Sequence, residues 1–180
     1  MTPLAQPFEL DPETYDALVD WPKRLANEGP FFRRRFAEVG ARRVLDVACG
    51  TGHHAALFHS WDLEVDGADV EPAMIAYCGT KHGQSEKLRW TTRSFTTTPP
   101  DAGSFDAVVC LGNSLALAPE RDTAAQVLTA MLAALRAGGV GIIQVLNLWR
   151  LCEGPTTWQK CVRLSRNGSD TVLIKGIHRV

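Results

Sequence analysis

Long apolar runs are missing from this sequence. None of its 180 residues lies in a stretch approaching the roughly 18 apolar residues that a membrane-spanning helix needs, so no membrane anchor is expected. Charge of one sign is missing too. With 19 Lys+Arg against 20 Asp+Glu the net charge is −1, which gives no long-range pull toward nucleic acid or an anionic membrane. The basic runs Arg33-Arg34-Arg35 and Arg42-Arg43 read as solvated flanks of a helix and a strand. Paired cysteines are absent. Cys49, Cys78, Cys110, Cys152 and Cys161 form no C-x-x-C and no metal spacing, so they read as reduced, mostly buried thiols of a cytoplasmic protein. His53 and His54 are adjacent; neighbouring helical side chains diverge, and no metal site is expected there. The opening Met1-Thr2-Pro3-Leu4 soon turns acidic, unlike a signal peptide.

What is present is ordinary in composition, 45% apolar and 22% charged, and the length suits one core. Residues 12–37 have helical character with interruptions expected near Pro22 and at Gly29-Pro30. Arg43 to Ala48 reads as a buried strand closed by glycine, and Gly50-Thr51-Gly52 opens a helix carrying Ala55, Ala56, Leu57 and Phe58. A strand over about Leu63–Val70 leads to a helix with Pro72 in its first turn, expected to end near Gly79. Leu88–Thr92 and Phe105–Leu111 are further strands, separated by a Thr- and Pro-rich loop. Asp122 is placed to cap the next helix, whose expected apolar face is Val127, Leu128, Met131, Leu132 and Leu135. Gly138-Gly139 should stop it, and Val140–Leu146 follows as a fifth strand. Strands alternating with helices predict a parallel sheet with helices on both faces. The tail differs: Lys160–Leu164 and Thr171–Ile177 alternate around Asn167-Gly168, a signal for an antiparallel hairpin.

The segment Asp46-Val47-Ala48-Cys49-Gly50-Thr51-Gly52 concentrates the chemistry. A glycine turn between strand and helix lets a ligand approach the backbone and points free amides at it. Asp69 follows Gly50 by about 20 residues, the spacing at which an acid can hydrogen-bond a ribose hydroxyl. Gly50 to Ala55 also satisfies the dinucleotide pattern G-x-G-x-x-G/A, so a nicotinamide oxidoreductase is one reading. Asp46, four residues before the first glycine, favours the other. A carboxylate there repels a pyrophosphate but suits the sulfonium and ammonium groups of S-adenosylmethionine (SAM).

Asp46-Val-Ala-Cys-Gly-Thr-Gly-His53, Asp69-Val-Glu-Pro-Ala-Met74 and Cys110-Leu-Gly-Asn-Ser-Leu-Ala116 together resemble class I SAM-dependent methyltransferases. Leu-Gly-Asn-Ser most resembles the glycine/sarcosine N-methyltransferase branch. The resemblance implies a Rossmann-like α/β fold and methyl transfer to a small-molecule acceptor, nitrogen before oxygen, with S-adenosylhomocysteine as product. It implies that Asp46, Ala48, Gly50 and Gly52 surround the methionine part of SAM, that Asp69 holds the ribose, and that Val70 and Met74 flank the adenine. Leu111 and Asn113 would line the methyl region. Tyr15, Trp21 and Arg24 resemble the segment that closes over the cofactor, with Arg24 toward its carboxylate.

The sequence departs from that branch at three places. The acid usual after the third strand is absent, leaving Ser94 or backbone for the adenine amine. Where the glycine-type enzymes carry an arginine after the fifth strand stands Leu146, beside Asn147, with Arg150 nearby; glycine itself is therefore not the expected acceptor. Asn113, Trp149, Arg150 and Tyr15 are the substrate-side candidates, and no catalytic base is assigned. The third departure is length. Trp158–Val180 reads as the family's inserted hairpin, so that the two closing strands are lacking, or alternatively as those strands reached by a short link. The expected organisation is a helical cap over 1–40, a SAM-binding core over 41–147 and a hairpin over 155–180, in one domain that the first of these readings makes truncated at its C-terminal end. In the first case the fifth strand is an exposed edge that a homodimer would cover. Cofactor binding with little or no turnover is the alternative function.

Overall fold

The computed structural model describes residues 11–150, 153–166 and 169–178. Asn167-Gly168, Cys152 and the first ten residues lie outside that range. At the centre stands β1 (Arg43–Asp46), whose Val44 and Leu45 are fully buried. It pairs in parallel with β2 (Glu64–Asp69) on one side and β4 (Phe105–Cys110) on the other. Beyond them lie β3 (Leu88–Thr92) and β5 (Leu135–Ile143), giving the order β3-β2-β1-β4-β5. A parallel sheet buried on both faces calls for continuous apolar strands, as Ala107 to Leu111 supplies. Alternation sends Val44, Ala107 and Val109 to one face, against Phe32, Phe36 and Phe58. Leu45, Val108 and Cys110 go to the other, against Val127 and Met131. The first face is covered by α2 (Trp21–Glu38) and α3 (His53–His59), the second by α5 (Arg121–Ala134). A short α1 (Pro12–Ala17) precedes α2, and α4 (Pro72–His82) joins β2 to β3.

Several local expectations are corrected. The chain breaks near Pro22, between α1 and α2, but α2 runs on through Gly29-Pro30. Gly29 faces Leu57 and Trp61, and a Cβ there would meet both at 3.7 Å; packing against α3 holds the helix across its proline. Gly79 does not stop α4, which ends at Gly83 with φ +75°. Asp122 lies in the first turn of α5 and Glu120 is its N-cap, without a side-chain hydrogen bond. Leu128 and Leu132 are exposed, and the buried stripe is Val127, Ala130, Met131 and Ala134. Gly138-Gly139 sits inside β5. A Cβ on Gly139 would lie 2.9 Å from the Asp106 carbonyl, where the register shifts between Phe105 and Ala107; Gly139 serves a close approach of strands and Gly138 a left-handed backbone (φ +75°), and neither acts as a helix stop.

β6 (Thr157–Arg166) and β7 (Ser169–Ile177) form a separate antiparallel pair. Among the described residues they do not extend the main sheet. β5 therefore has no partner on its outer edge among the described residues, and Ile143, Val145 and Leu146 are exposed there. Among the described residues no helix is long and apolar enough to cross a membrane.

Candidate functional site

In an open parallel sheet, ligands bind beyond the carboxyl ends of the strands, where the order reverses. Here that place lies between the ends of β1 and β4. The strand ladder continues past Asp46, with Val47 N–H donating to Val109 O (3.0 Å) and Cys49 N–H to Ala68 O (2.8 Å). The chain then turns at Gly50 (φ +53°) and Gly52 (φ +80°) into α3. Left-handed backbone of this kind suits glycine. The two glycines do different work. A Cβ on Gly52 would fall 2.8 Å from both the Cys78 Sγ and the Trp90 ring, whereas nothing lies within 4 Å of one on Gly50. Gly52 is thus wedged into the body, and Gly50 borders open space.

That space is a cavity of about 180 Å³ walled by the turn, by Asp69 and Met74 beyond β2, by Leu111 and Gly112 beyond β4, and by Tyr15, Trp21 and Arg24. A second cavity of about 280 Å³ shares Ala48, Asp69, Ser114 and Leu117 with it, and adds Val47, Val70, Phe95 and Pro119. One is polar at its floor and the other mainly apolar.

Asp46 forms that floor. It is 1% exposed, and its Oδ1 has no hydrogen-bond partner among the described residues. Burial, with Asp69 nearby, pushes its carboxyl up to about 7, against the opposing pull of the Ala48 amide and of Arg24. A buried, unpartnered carboxylate oxygen is costly, and a cation in the cavity would satisfy it. Asp69 holds the turn from the side: its Oδ2 accepts from Gly50 N–H (2.8 Å) and its Oδ1 from Glu71 N–H (3.1 Å).

Over the opposite wall runs a polar network. Arg24 lies 5.3 Å from the Trp21 ring, donates through Nε to Glu28 (3.2 Å) and through a terminal nitrogen to Gln144 Oε1 (2.8 Å). Glu28 also accepts from Gln144 Nε2 (2.8 Å) and pairs with His54 Nε2 (2.7 Å). Burial alone would raise the Glu28 carboxyl. The bonds from His54 and Gln144 and the charge of Arg24 outweigh it and bring it to about 2. Burial lowers His54 despite Glu28, so a neutral imidazole donates through Nε2–H to the carboxylate. Burial raises the Tyr15 hydroxyl against the pull of Arg24.

Of the residues expected from sequence, the first cavity gathers Tyr15, Arg24, Asp46, Ala48, Gly50, Asp69, Met74 and Leu111; Val70 lines the second. Ser94 is turned to Thr96, 2.9 Å from its Oγ1, and its neighbour Phe95 takes the cavity wall. Asn113 (φ +76°) accepts from Leu146 N–H (3.0 Å) and so ties the β4 loop to the end of β5. Trp149 and Arg150 are exposed on a 3₁₀ turn (Leu148–Arg150) and line neither cavity. Glu28, His54 and Gln144 were not foreseen. Glu28 stands four residues after Arg24, helix-pair spacing, and Gln144 is a lone amide in an apolar strand; these were the available signals. Beside the site, an open groove of about 380 Å³ brings Lys23 of α2 toward Lys175 of β7 and shares Arg24 with the first cavity.

Comparison with known proteins identifies the family and the fold. A family model described as "Methyltransferase domain" matches residues 44–139. A glycine/sarcosine N-methyltransferase from Parasynechococcus marenigrum is 39% identical over 145 residues, covering 79% of this chain and 51% of that protein. Another from Halorhodospira halochloris is 33% identical over 144 residues, covering 75% and 51%. The chain spans about half the length of these curated relatives. Among solved structures, a SAM-bound amino pentose methyltransferase from Micromonospora echinaspora superposes with a TM-score of 0.70 at 22% identity, over 98% of this chain and 85% of that one. At that identity the likeness is one of fold.

Proposed function

This chain belongs to the class I SAM-dependent methyltransferase family, and we propose that it moves a methyl group from SAM to a small-molecule acceptor, nitrogen before oxygen. The observation that carries the proposal is the buried, unpartnered Oδ1 of Asp46 beside the open backbone of Gly50. The residues fit the cofactor. Asp46 offers a negative floor to its cationic groups, and Gly50 leaves room for close backbone approach. The second lone pairs of the Asp69 oxygens are available to ribose hydroxyls. Val47, Val70, Phe95 and Leu117 offer an apolar bed for a base.

When bound, SAM supplies a methyl group on a sulfonium, whose sulfur leaves as a neutral thioether without help from an acid. The chain's part is positioning and exclusion of water. Tyr15 and Trp21 close the cavity from α1 and α2, and the Glu28 network fixes Arg24 at its rim. A neutral amine attacks without a base, so no proton acceptor is required before the methyl moves. The groove beside Lys23 and Lys175 offers the acceptor a route in. The names of the relatives support nitrogen as the accepting atom. Leu146, where the family resemblance implies an arginine, argues for an acceptor other than glycine. We also read the described residues as one domain, with a second copy over the free edge of β5.

Calorimetric titration with SAM and S-adenosylhomocysteine, beside an Asp69→Ala variant, tests the assignment. Micromolar binding that weakens at least about tenfold in the variant is expected, as for loss of a hydrogen bond to a charged group. An acceptor screen then follows, and binding with no methylation of any amine would leave a cofactor-binding protein instead. A folded wild-type chain that binds neither compound would overturn the reading.

A further inference from the structure

One carboxylate outside the cavity gathers donors from three helices. Asp16, on α1, accepts from Trp21 Nε1 of α2 (2.9 Å), pairs with His53 Nε2 of α3 (3.0 Å), and accepts from Tyr77 OH of α4 (3.0 Å) and from Lys81 Nζ of α4. Burial alone would raise its carboxyl; the bond from Lys81, with that of His53, holds it well below the usual carboxylate range. Burial lowers His53, so His53 meets Asp16 as a neutral donor.

The helix that carries Asp16 is short. α1 is six residues long and buries only Thr14, and so short a helix does not persist by itself. Its other ties to the remainder of the fold include a bond from the hairpin, Lys160 Nζ to Ala17 O (2.7 Å), and the Tyr15–Trp21 ring contact. Yet its Tyr15 is a wall of the first cavity, as is Trp21 just after it. Trp21 also stacks on His53 with ring centroids 4.1 Å apart and planes 14° apart. The polar cluster and the cavity wall are thus linked: releasing Asp16 loosens the helix that carries Tyr15 and removes the Trp21 indole's hydrogen-bond acceptor.

We propose that Asp16 is a positioning residue that latches α1 across the mouth of the cofactor cavity, and that unlatching is the route of cofactor entry and release. The inference rests on the cofactor reading above. Asp16→Asn keeps the size of the side chain, removes the charge that Lys81 pairs with, and turns an NH₂ toward a set of donors. Asp106→Asn is the control. Asp106 lies at the opposite end of the sheet, where it accepts from the amides of Arg42 and Arg43 (2.8 Å each) and from Arg136 Nε (2.5 Å).

Two measurements on the full chain separate the latch from simple stabilisation. Hydrogen exchange of residues 12–17 without ligand should accelerate about tenfold or more in Asp16→Asn and stay unchanged in the control. Stopped-flow tryptophan fluorescence with S-adenosylhomocysteine should show dissociation faster by about tenfold or more in Asp16→Asn only, even where the two variants melt alike. Should Asp16→Asn not fold, Lys81→Met carries the same readouts. Unchanged exchange of α1, or faster exchange with unchanged dissociation, overturns the latch alone. A wild-type chain that binds no S-adenosylhomocysteine overturns the cofactor reading and the latch with it.

Discussion

At Asp46 burial and the nearby charge of Asp69 work against ionisation. With its carboxyl raised to about 7 by burial, the ionised form is disfavoured in the free protein. Its contribution to stability is therefore fully present below the ordinary carboxylate range and is lost as pH rises through about 7. A cationic ligand reverses the balance, because it pairs with the ionised form. Affinity for SAM should then rise by up to about tenfold per pH unit below about pH 7 and level off above it. Calorimetry near pH 6 in buffers of different ionisation enthalpy should register proton release. In Asp46→Asn both effects should disappear; a pH profile shared by the two proteins would show that another group governs it. Glu28 carries the opposite sign. Its carboxyl is held at about 2, so what it contributes is present above the ordinary carboxylate range and fades as pH falls toward about 2.

Between β1 and α3 the turn was legible as an element, but the division of labour between its glycines was not. Both adopt left-handed backbone, which costs a residue with a Cβ about 1–2 kcal/mol. Gly50→Ala should lose roughly that in stability, measured by denaturant unfolding, because its Cβ meets nothing. It should lose cofactor binding out of proportion, since the methyl enters the ligand's space. Gly52→Ala drives a Cβ into Cys78 and Trp90 and should cost about 1–3 kcal/mol more by overpacking. Equal stability losses in the two variants would sink this account. At the same scale, Pro30 and Gly79 were poor guides to helix ends. A breaker costs about 1–3 kcal/mol, and an amphipathic helix seated on a sheet recovers more than that by burial.

For the molecule as a whole, order should decline outward from β1. Val44–Asp46 and Ala107–Cys110 sit between fully paired neighbours and two apolar layers. Among the described residues β6 and β7 pair only with each other and expose Trp158, Val172 and Ile174, and a two-stranded ribbon is marginal in water. Amide exchange should be slowest in β1 and β4, set by global unfolding, and should proceed in the hairpin through local opening. Equal protection in the two regions would mean that the hairpin and sheet open as one cooperative unit.

The sequence by itself determined the sheet's alternation of strand and helix, the glycine turn, and the placing of Asp46 and Asp69 at strand ends. Each is written in residues within one strand or turn of one another, where period, φ preference and spacing act locally. The tertiary structure alone decided that Gln144 Nε2 reaches Glu28 across 116 residues, that Asp16 joins three helices, and that Asn113 turns to β5 instead of the cavity. Such bonds depend on which faces pack together, and a buried polar group takes whichever partner that packing brings within about 3 Å.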